Sequence, residues 1–215
     1  MSVTTKKICV LAMLSTLAFI VMVIGRVPLV LFLKYDPKDV IITIGGFLYG
    51  PLSAVVITVV VSVVEMVTVS PNGPIGLLMN VISGCAFAGT AAVIYKKKRS
   101  LKGAVFGLVT AWLLTTAVML LWNYLITPLY MEVPRTEVAA MLIPAFLPFN
   151  LLKGGLNAAF TMLLYKPVKA ALQSSGMMPP EEQGKKGIIN WGVVLVSVFV
   201  VATCVLLTLV LQGKL

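Results

Sequence analysis

Apolar residues run along this chain in long blocks, interrupted by short clusters of charge, proline and glycine. The blocks fall at about 8 to 25, 39 to 50, 51 to 69, 75 to 95, 102 to 127, 142 to 165 and 188 to 211, most of them near the roughly 20 residues an α-helix needs to cross a bilayer. The pattern predicts an all-α integral membrane protein. Residues 1–172 form a six-helix bundle with a short, broken second helix, 173–187 form a linker rich in Ser, Gly, Pro and Glu, and 188–211 add a seventh, C-terminal transmembrane helix.

The second and third blocks decide the topology. Read as one helix, residues 39–69 would be about 45 Å long at 1.5 Å per residue, against a hydrocarbon thickness of roughly 30 Å. The Gly50-Pro51 step offers a break. Splitting there, with the N-terminus in the cytoplasm, puts Lys6, Lys7, the cluster Lys96, Lys97, Lys98, Arg99 and Lys102, and Lys166, Lys169, Lys185 and Lys186 all on the cytoplasmic side, as the positive-inside bias favours. Without the split, the densest cluster would face outward. Outward loops are then 26–38, 70–74 and 128–141. The first of these, with Pro28, several aliphatics and Phe32-Leu33-Lys34-Tyr35-Asp36-Pro37-Lys38-Asp39, is amphipathic enough to pack as a lid.

Composition sharpens the class. Apolar residues make up 60% and charged residues 11% of the chain, and the mean hydropathy is +1.05, so its solvent is lipid. The net charge of +10 does not indicate nucleic acid, because the basic residues sit at the ends of apolar blocks, where headgroups account for them. Cys9, Cys85 and Cys204 lie within apolar blocks without CxxC spacing, which indicates neither a disulfide framework nor a metal site. Histidine is absent, and so is a phosphate-binding GxxxxGK[ST] loop, so neither imidazole catalysis nor nucleotide hydrolysis by that route is expected of this chain. Together with the lack of a nucleophile paired to a base, this argues against an enzyme. The first block lacks a small-residue cleavage site and reads as a retained helix. No inverted repeat is visible.

Polar residues inside the apolar blocks are the candidate chemistry. Asn150, Lys153 and Asn157 are spaced three and four apart, so on a helix they project from one face and bring an ammonium together with two amides. An ammonium in hydrocarbon costs several kcal/mol without a polar partner, a water-filled cavity or a ligand. Amides that both donate and accept, beside a lysine that only donates, suit the edge of a flat heterocycle rich in carbonyls and ring nitrogens. The competing reading makes Asn150 a helix cap and lets Lys153 snorkel outward. Asn123 lies at the outer end of the fifth helix, level with Asn150, so the two are expected to face one cavity. Trp122, Tyr124 and Tyr130 nearby either stack on an aromatic ligand or belong to the interfacial aromatic belt. Glu65 is the one carboxylate within an apolar block and calls for a partner: Lys153 across the bundle, a ligand hydroxyl, or its own proton. Asn80 reads first as an interhelical hydrogen bond. Small residues recur at four-residue spacing, as in Gly46 and Gly50, Gly84, Ala88 and Ala92, or Gly103 and Gly107, and let helices approach closely within the bundle.

Lys34, Tyr35, Asp36 and Asp39 followed by Ile44-Gly45-Gly46-Phe47-Leu48-Tyr49-Gly50-Pro51 resemble the first loop and broken helix of riboflavin-specific S components of energy-coupling factor (ECF) vitamin transporters. Glu65 to Thr68 with Ser70, Gly76-Leu77-Leu78-Met79-Asn80, the basic 96–102 loop and Pro148-Phe149-Asn150-Leu151-Leu152-Lys153-Gly154 extend the resemblance over about residues 6–172. It implies a six-helix subunit of the cell membrane that binds its vitamin near the outer surface. In that reading Asn123, Asn150 and Lys153 hydrogen-bond the isoalloxazine ring, Glu65, Asn80 and Asn157 add contacts, and the 26–39 loop closes above. Riboflavin would be the transported ligand, with no cofactor. The partners implied are a membrane coupling subunit, docking on the small-residue face of the first helix at Ala12, Ser15 and Thr16, and two ATPases that drive the bundle to topple. The family's alanine pattern is only partly kept on that face, and the seventh block departs from the six-helix plan. The alternatives are an S component for a different vitamin, or a self-sufficient ion-coupled carrier using Glu65 and Lys153.

Overall fold

The computed structural model of the chain describes residues 3–31, 33–177 and 191–212. It is a helical bundle with one small hairpin at one end. Helix α1 (Val3–Ile24) leads into strands β1 (Val27–Val30) and β2 (Leu33–Tyr35), which pair antiparallel. Helices α2 (Lys38–Tyr49) and α3 (Pro51–Thr68) follow, then α4 (Gly73–Gly84), which continues through a π-helical turn (Cys85–Gly89) into α5 (Thr90–Lys97). Next come α6 (Leu101–Leu125), the short α7 (Thr127–Met131) and α8 (Arg135–Met141), a second π-helical turn (Leu142–Phe146), α9 (Leu147–Ser174) and α10 (Trp191–Leu211).

Six helical stretches among the described residues are long and apolar enough to cross a membrane: Thr4–Ile24, Pro51–Thr68, Gly73–Lys97, Leu101–Leu125, Arg135–Ser174 and Trp191–Leu211. Helix α2, with 12 residues, is about 18 Å long and falls short of a full span, which fits the expected short second helix. Ten of its residues are buried, because it is wedged between α1, α3, α5 and α9.

The chain reverses at Gly50. Its φ of 94° and ψ of 172° suit glycine alone, and Pro51, which has no N–H to leave unbonded, opens α3. The reversal brings Lys38, at the start of α2, to Glu65, near the end of α3. In one continuous helix those residues would stand about 40 Å apart.

Two features differ from the sequence reading. The 26–39 loop is a β-hairpin, with Val27 opposite Tyr35 and Pro28 opposite Lys34. The stretch expected as an outward loop at 128–141 is largely helical, and α8, the second π turn and α9 form a continuous 40-residue rod. Pro144 lies in that π turn, where a widened helix accommodates a residue that cannot donate to the preceding turn. Helix α9 ends at Ser174, and most of the linker expected at 173–187 lies outside the described residues.

The small-residue faces pack inside the bundle. Gly46 meets Ala54 and Ala92, and Gly84 meets Thr58, while Gly107 lies against α5 at Ala91 and Ile94. Three apolar clusters result among the described residues: α1 with α2, α3, the first π turn and the end of α9; α2 with α5, α6 and α9; and the hairpin with α9 and α10. The tightest approach between two helices is at Gly154, where a Cβ would lie 2.0 Å from Trp112 Cδ1. Gly154→Ala is expected to cost about 1–3 kcal/mol through overpacking. Thermal unfolding in detergent checks this, and Trp112→Leu in the same chain should restore part of the loss.

Candidate functional site

Glu65, Asn80, Lys153 and Asn157, four of the polar residues picked out inside the apolar blocks, meet at the hairpin end of the bundle. They do so through residues of the first loop. Lys153 Nζ, from α9, lies 3.4 Å from Asp39 Oδ2 and 3.9 Å from Asp36 Oδ1. Asn157, one turn further along α9, donates to Asp39 Oδ2 at 3.3 Å and accepts from the Tyr35 hydroxyl at 2.9 Å. On the other side, Glu65 accepts from Arg26 at 2.8 Å, from Asn80 Nδ2 at 3.0 Å and from Lys38. Asp36 bridges the two halves, within 3.8 Å of Arg26 and 4.0 Å of Lys38.

The cluster holds three cations, Arg26, Lys38 and Lys153, and three carboxylates, Asp36, Asp39 and Glu65, so it is formally neutral. Its members come from the hairpin, α2, α3, α4 and α9. Lys38, Asp39, Glu65 and Asn157 are each less than 5% exposed, so none of these groups can turn to water. Asp39 also sits in the first turn of α2, where a carboxylate is favoured by the helix dipole.

Burial raises the pKa of the Asp36 carboxyl, but the facing charges of Lys38, Lys153 and Arg26 outweigh it and hold the group below the usual carboxylate range. Burial, together with the carboxylates of Asp39 and Asp36, pushes the Tyr35 phenol well above its ordinary value and keeps it a neutral donor to Asn157. Asp36 Oδ1 is buried and makes no hydrogen bond among the described residues. The site therefore offers a bare carboxylate oxygen beside a lysine ammonium, an acceptor and a donor side by side.

Several expectations are corrected. Glu65 pairs with Arg26 and Lys38, and Lys153 pairs with Asp36 and Asp39, because the hairpin brings its own charges between them. Asn150 lies within α9 and is no helix cap: its Nδ2 donates to the Phe146 carbonyl at 2.8 Å. Lys153 turns inward and does not snorkel. Asn123 is buried, donating to the Met119 carbonyl at 2.7 Å and accepting from Thr127 at 2.9 Å, so neither it nor Asn150 enters the ionic cluster. On α1, Ala12 and Thr16 are exposed but Ser15 is buried with its hydroxyl on the Leu11 carbonyl, so the three do not share one open face. Sequence reasoning missed Arg26, Lys38, Asp36 and Asp39 as one cluster. The available signal was that Asp36 and Asp39 alternate with Lys34 and Lys38 at the edge of an apolar block, while Glu65 stands near the end of another with no charge of its own nearby.

Residues 6–165 match the family model of the substrate-specific component of ECF transporters. The chain belongs to that family. As a substrate-specific component it is a multi-pass membrane transport protein and not an enzyme. It is 30% identical over 170 residues to the riboflavin transporter RibU of Staphylococcus aureus (strain TCH60), covering 75% of this chain and 89% of that protein. It is 31% identical over 173 residues to the riboflavin transporter FmnP of Bacillus subtilis (strain 168), covering 75% of this chain and 91% of that one. A solved structure described as the S component of a bacterial ECF transporter superposes with a TM-score of 0.66 at 27% identity, over 79% of this chain and 99% of the other. Helix α10 lies beyond the part of this substrate-specific component that the family model matches.

The ionic cluster yields two predictions. Lys153→Met leaves Asp36 and Asp39 facing each other without their shared cation, and is expected to destabilise the protein by about 3–5 kcal/mol, read as a lower unfolding temperature in detergent. Asp39→Asn in the same chain should recover part of the loss. Because the Asp36 pKa is depressed on folding, its contribution is fully present well above the unfolded value of 3.8 and is lost as pH falls through the lower folded value. Thermal stability should therefore hold from neutral pH to about 5 and drop below it, and Asp36→Asn should flatten that acid limb.

Proposed function

We propose that this chain is the riboflavin-binding subunit of an ECF transporter, which captures the vitamin at the outer face and delivers it inward together with a membrane coupling subunit and ATPases. The observation that carries the reading is the match, at 30–31% identity over about nine-tenths of their length, to proteins named riboflavin transporters. The site chemistry is compatible with it. A flavin presents carbonyls and ring nitrogens along one edge and hydroxyls along its ribityl chain. Lys153 supplies donors, Asn150 and Asn123 supply amides, and the unbonded Asp36 oxygen accepts from a hydroxyl or an imide N–H.

Lys153, Asn150 and Asn123 hold the isoalloxazine in this reading, with Glu65, Asn80 and Asn157 placing the charged groups around it. The hairpin is the lid. Its opening exchanges the contacts of Asp36 and Tyr35 with α9 for contacts to ligand. The N-terminus lies in the cytoplasm, since the basic 96–102 loop then faces inward as well. The coupling subunit meets the exposed face of α1 that carries Ala12 and Thr16.

Titration of the detergent-purified protein with riboflavin, followed by quenching of tryptophan and flavin fluorescence, tests the proposal. Saturable binding that Asn150→Ala and Lys153→Arg each weaken at least tenfold, with helical content unchanged, is the expected result. Binding unchanged in both variants would refute these residues as contacts. No binding in the unaltered protein would refute riboflavin as the ligand.

A further inference from the structure

At the end of the bundle opposite the ionic cluster, a groove of about 430 Å³ opens between the start of α6, the C-terminal half of α9 and the start of α10. That volume is typical of ligand pockets, which run from about 300 to 1,000 Å³. Its walls are chemically divided. Ala104, Met162, Val193 and Val194 are apolar lining, while Arg99, Ser100 and Lys166 are polar, beside Tyr95 and Tyr165, whose hydroxyls bond each other at 3.0 Å. Ser100 is fixed in place as the cap of α6, its Oγ accepting from the Gly103 N–H at 3.1 Å. Leu163 and Pro167 of α9 also line the groove. Trp191 completes the rim, and its indole is largely exposed.

We propose that this groove is a binding site for one anionic phospholipid, with an acyl chain along the apolar wall and the phosphate between Arg99 and Lys166. Charge complementarity selects the occupant. Two cations converge on an apolar slot at the end of the bundle that also carries Lys96, Lys97, Lys98 and Lys102, and basic pockets between transmembrane helices hold anionic headgroups. Such a lipid would join α10, which the family model does not cover, to α6 and α9. The site is independent of the vitamin-binding reading, because none of its residues belongs to the ionic cluster.

The test uses the full chain reconstituted in phosphatidylcholine vesicles that contain a fraction of either phosphatidylglycerol or phosphatidylcholine with brominated acyl chains. Quenching of Trp191 is obtained by difference against Trp191→Phe. Brominated phosphatidylglycerol should quench Trp191 in clear preference to brominated phosphatidylcholine, and the preference should fall about fivefold for each cation removed in Arg99→Gln and Lys166→Gln. The charge-preserving pair Arg99→Lys and Lys166→Arg should keep it. Equal quenching by the two lipids in the unaltered chain would overturn the proposal and leave the groove to a protein partner. An equal loss in Lys96→Gln/Lys97→Gln, which lies off the groove, would assign the effect to diffuse surface charge and overturn it as well. Displacement by millimolar inorganic phosphate would make the ligand a free anion and not a lipid.

Discussion

A charge removed from water must meet an opposite charge or lose several kcal/mol, and the hairpin end of this protein is organised around that constraint. Arg26, Lys38 and Lys153 are matched by Asp36, Asp39 and Glu65, and Asn80, Asn157 and Tyr35 add hydrogen bonds to Glu65 and Asp39 and between themselves. Desolvation offsets much of the attraction within such a set, so its main effect is on which arrangement forms. Any packing of the hairpin, α2, α3 or α9 that leaves one member unmatched is penalised heavily. The cluster thus selects the register of five elements at once.

The same arrangement couples the hairpin to the candidate binding residues. Lys153 is held by carboxylates from the loop and from α2, and Asn157 is held by Tyr35 of the hairpin. A ligand that draws on Lys153 must loosen its hold on Asp36, and with it the hairpin's attachment to α9. In the proposed reading, recognition and opening are one exchange of polar contacts. The apolar underside of the hairpin, Leu29, Val30 and Tyr35 against Leu152, Leu156 and Cys204, supplies the non-directional part of the closure. Helix α10 adds to it through Cys204 and through Gln212, whose Nε2 donates to the Pro28 carbonyl at 2.9 Å.

The two ends of the bundle are chemically different. One carries a balanced set of buried charges, and the other carries an excess of exposed lysine and arginine around an apolar groove. Between them the helices are held by close approach of small residues, since lipid tails are as apolar as the side chains they replace and offer no hydrophobic gain for association. Gly46 against Ala54 and Ala92, Gly84 against Thr58, and Gly154 under Trp112 are among the places where a methyl group would already be too large.

Much of the fold was legible from the chain alone, because spans, breaks and faces depend on local properties. Block lengths located the membrane helices, the Gly50-Pro51 pair marked the reversal between α2 and α3, and the spacing of Lys153 and Asn157 placed a cation and an amide on one inward face. The resemblance in the loop and broken-helix motifs led to the family that the comparisons establish. The pairing of charges was not legible. Lys38 and Glu65 are 27 residues apart, Arg26 and Glu65 are 39, and Asp39 and Asn157 are 118, and nothing in the spacing says which helix ends will meet. Nor could composition show that the loop folds as a hairpin, or that Asn123 and Asn150 spend amide protons on their own helices. The sequence by itself determined the long apolar helices and the break between α2 and α3, since those follow from hydropathy and backbone chemistry over a few turns. Only the tertiary structure decided which charges neutralise one another, because that depends on distances across the bundle, and in a low-dielectric interior those distances set the energy.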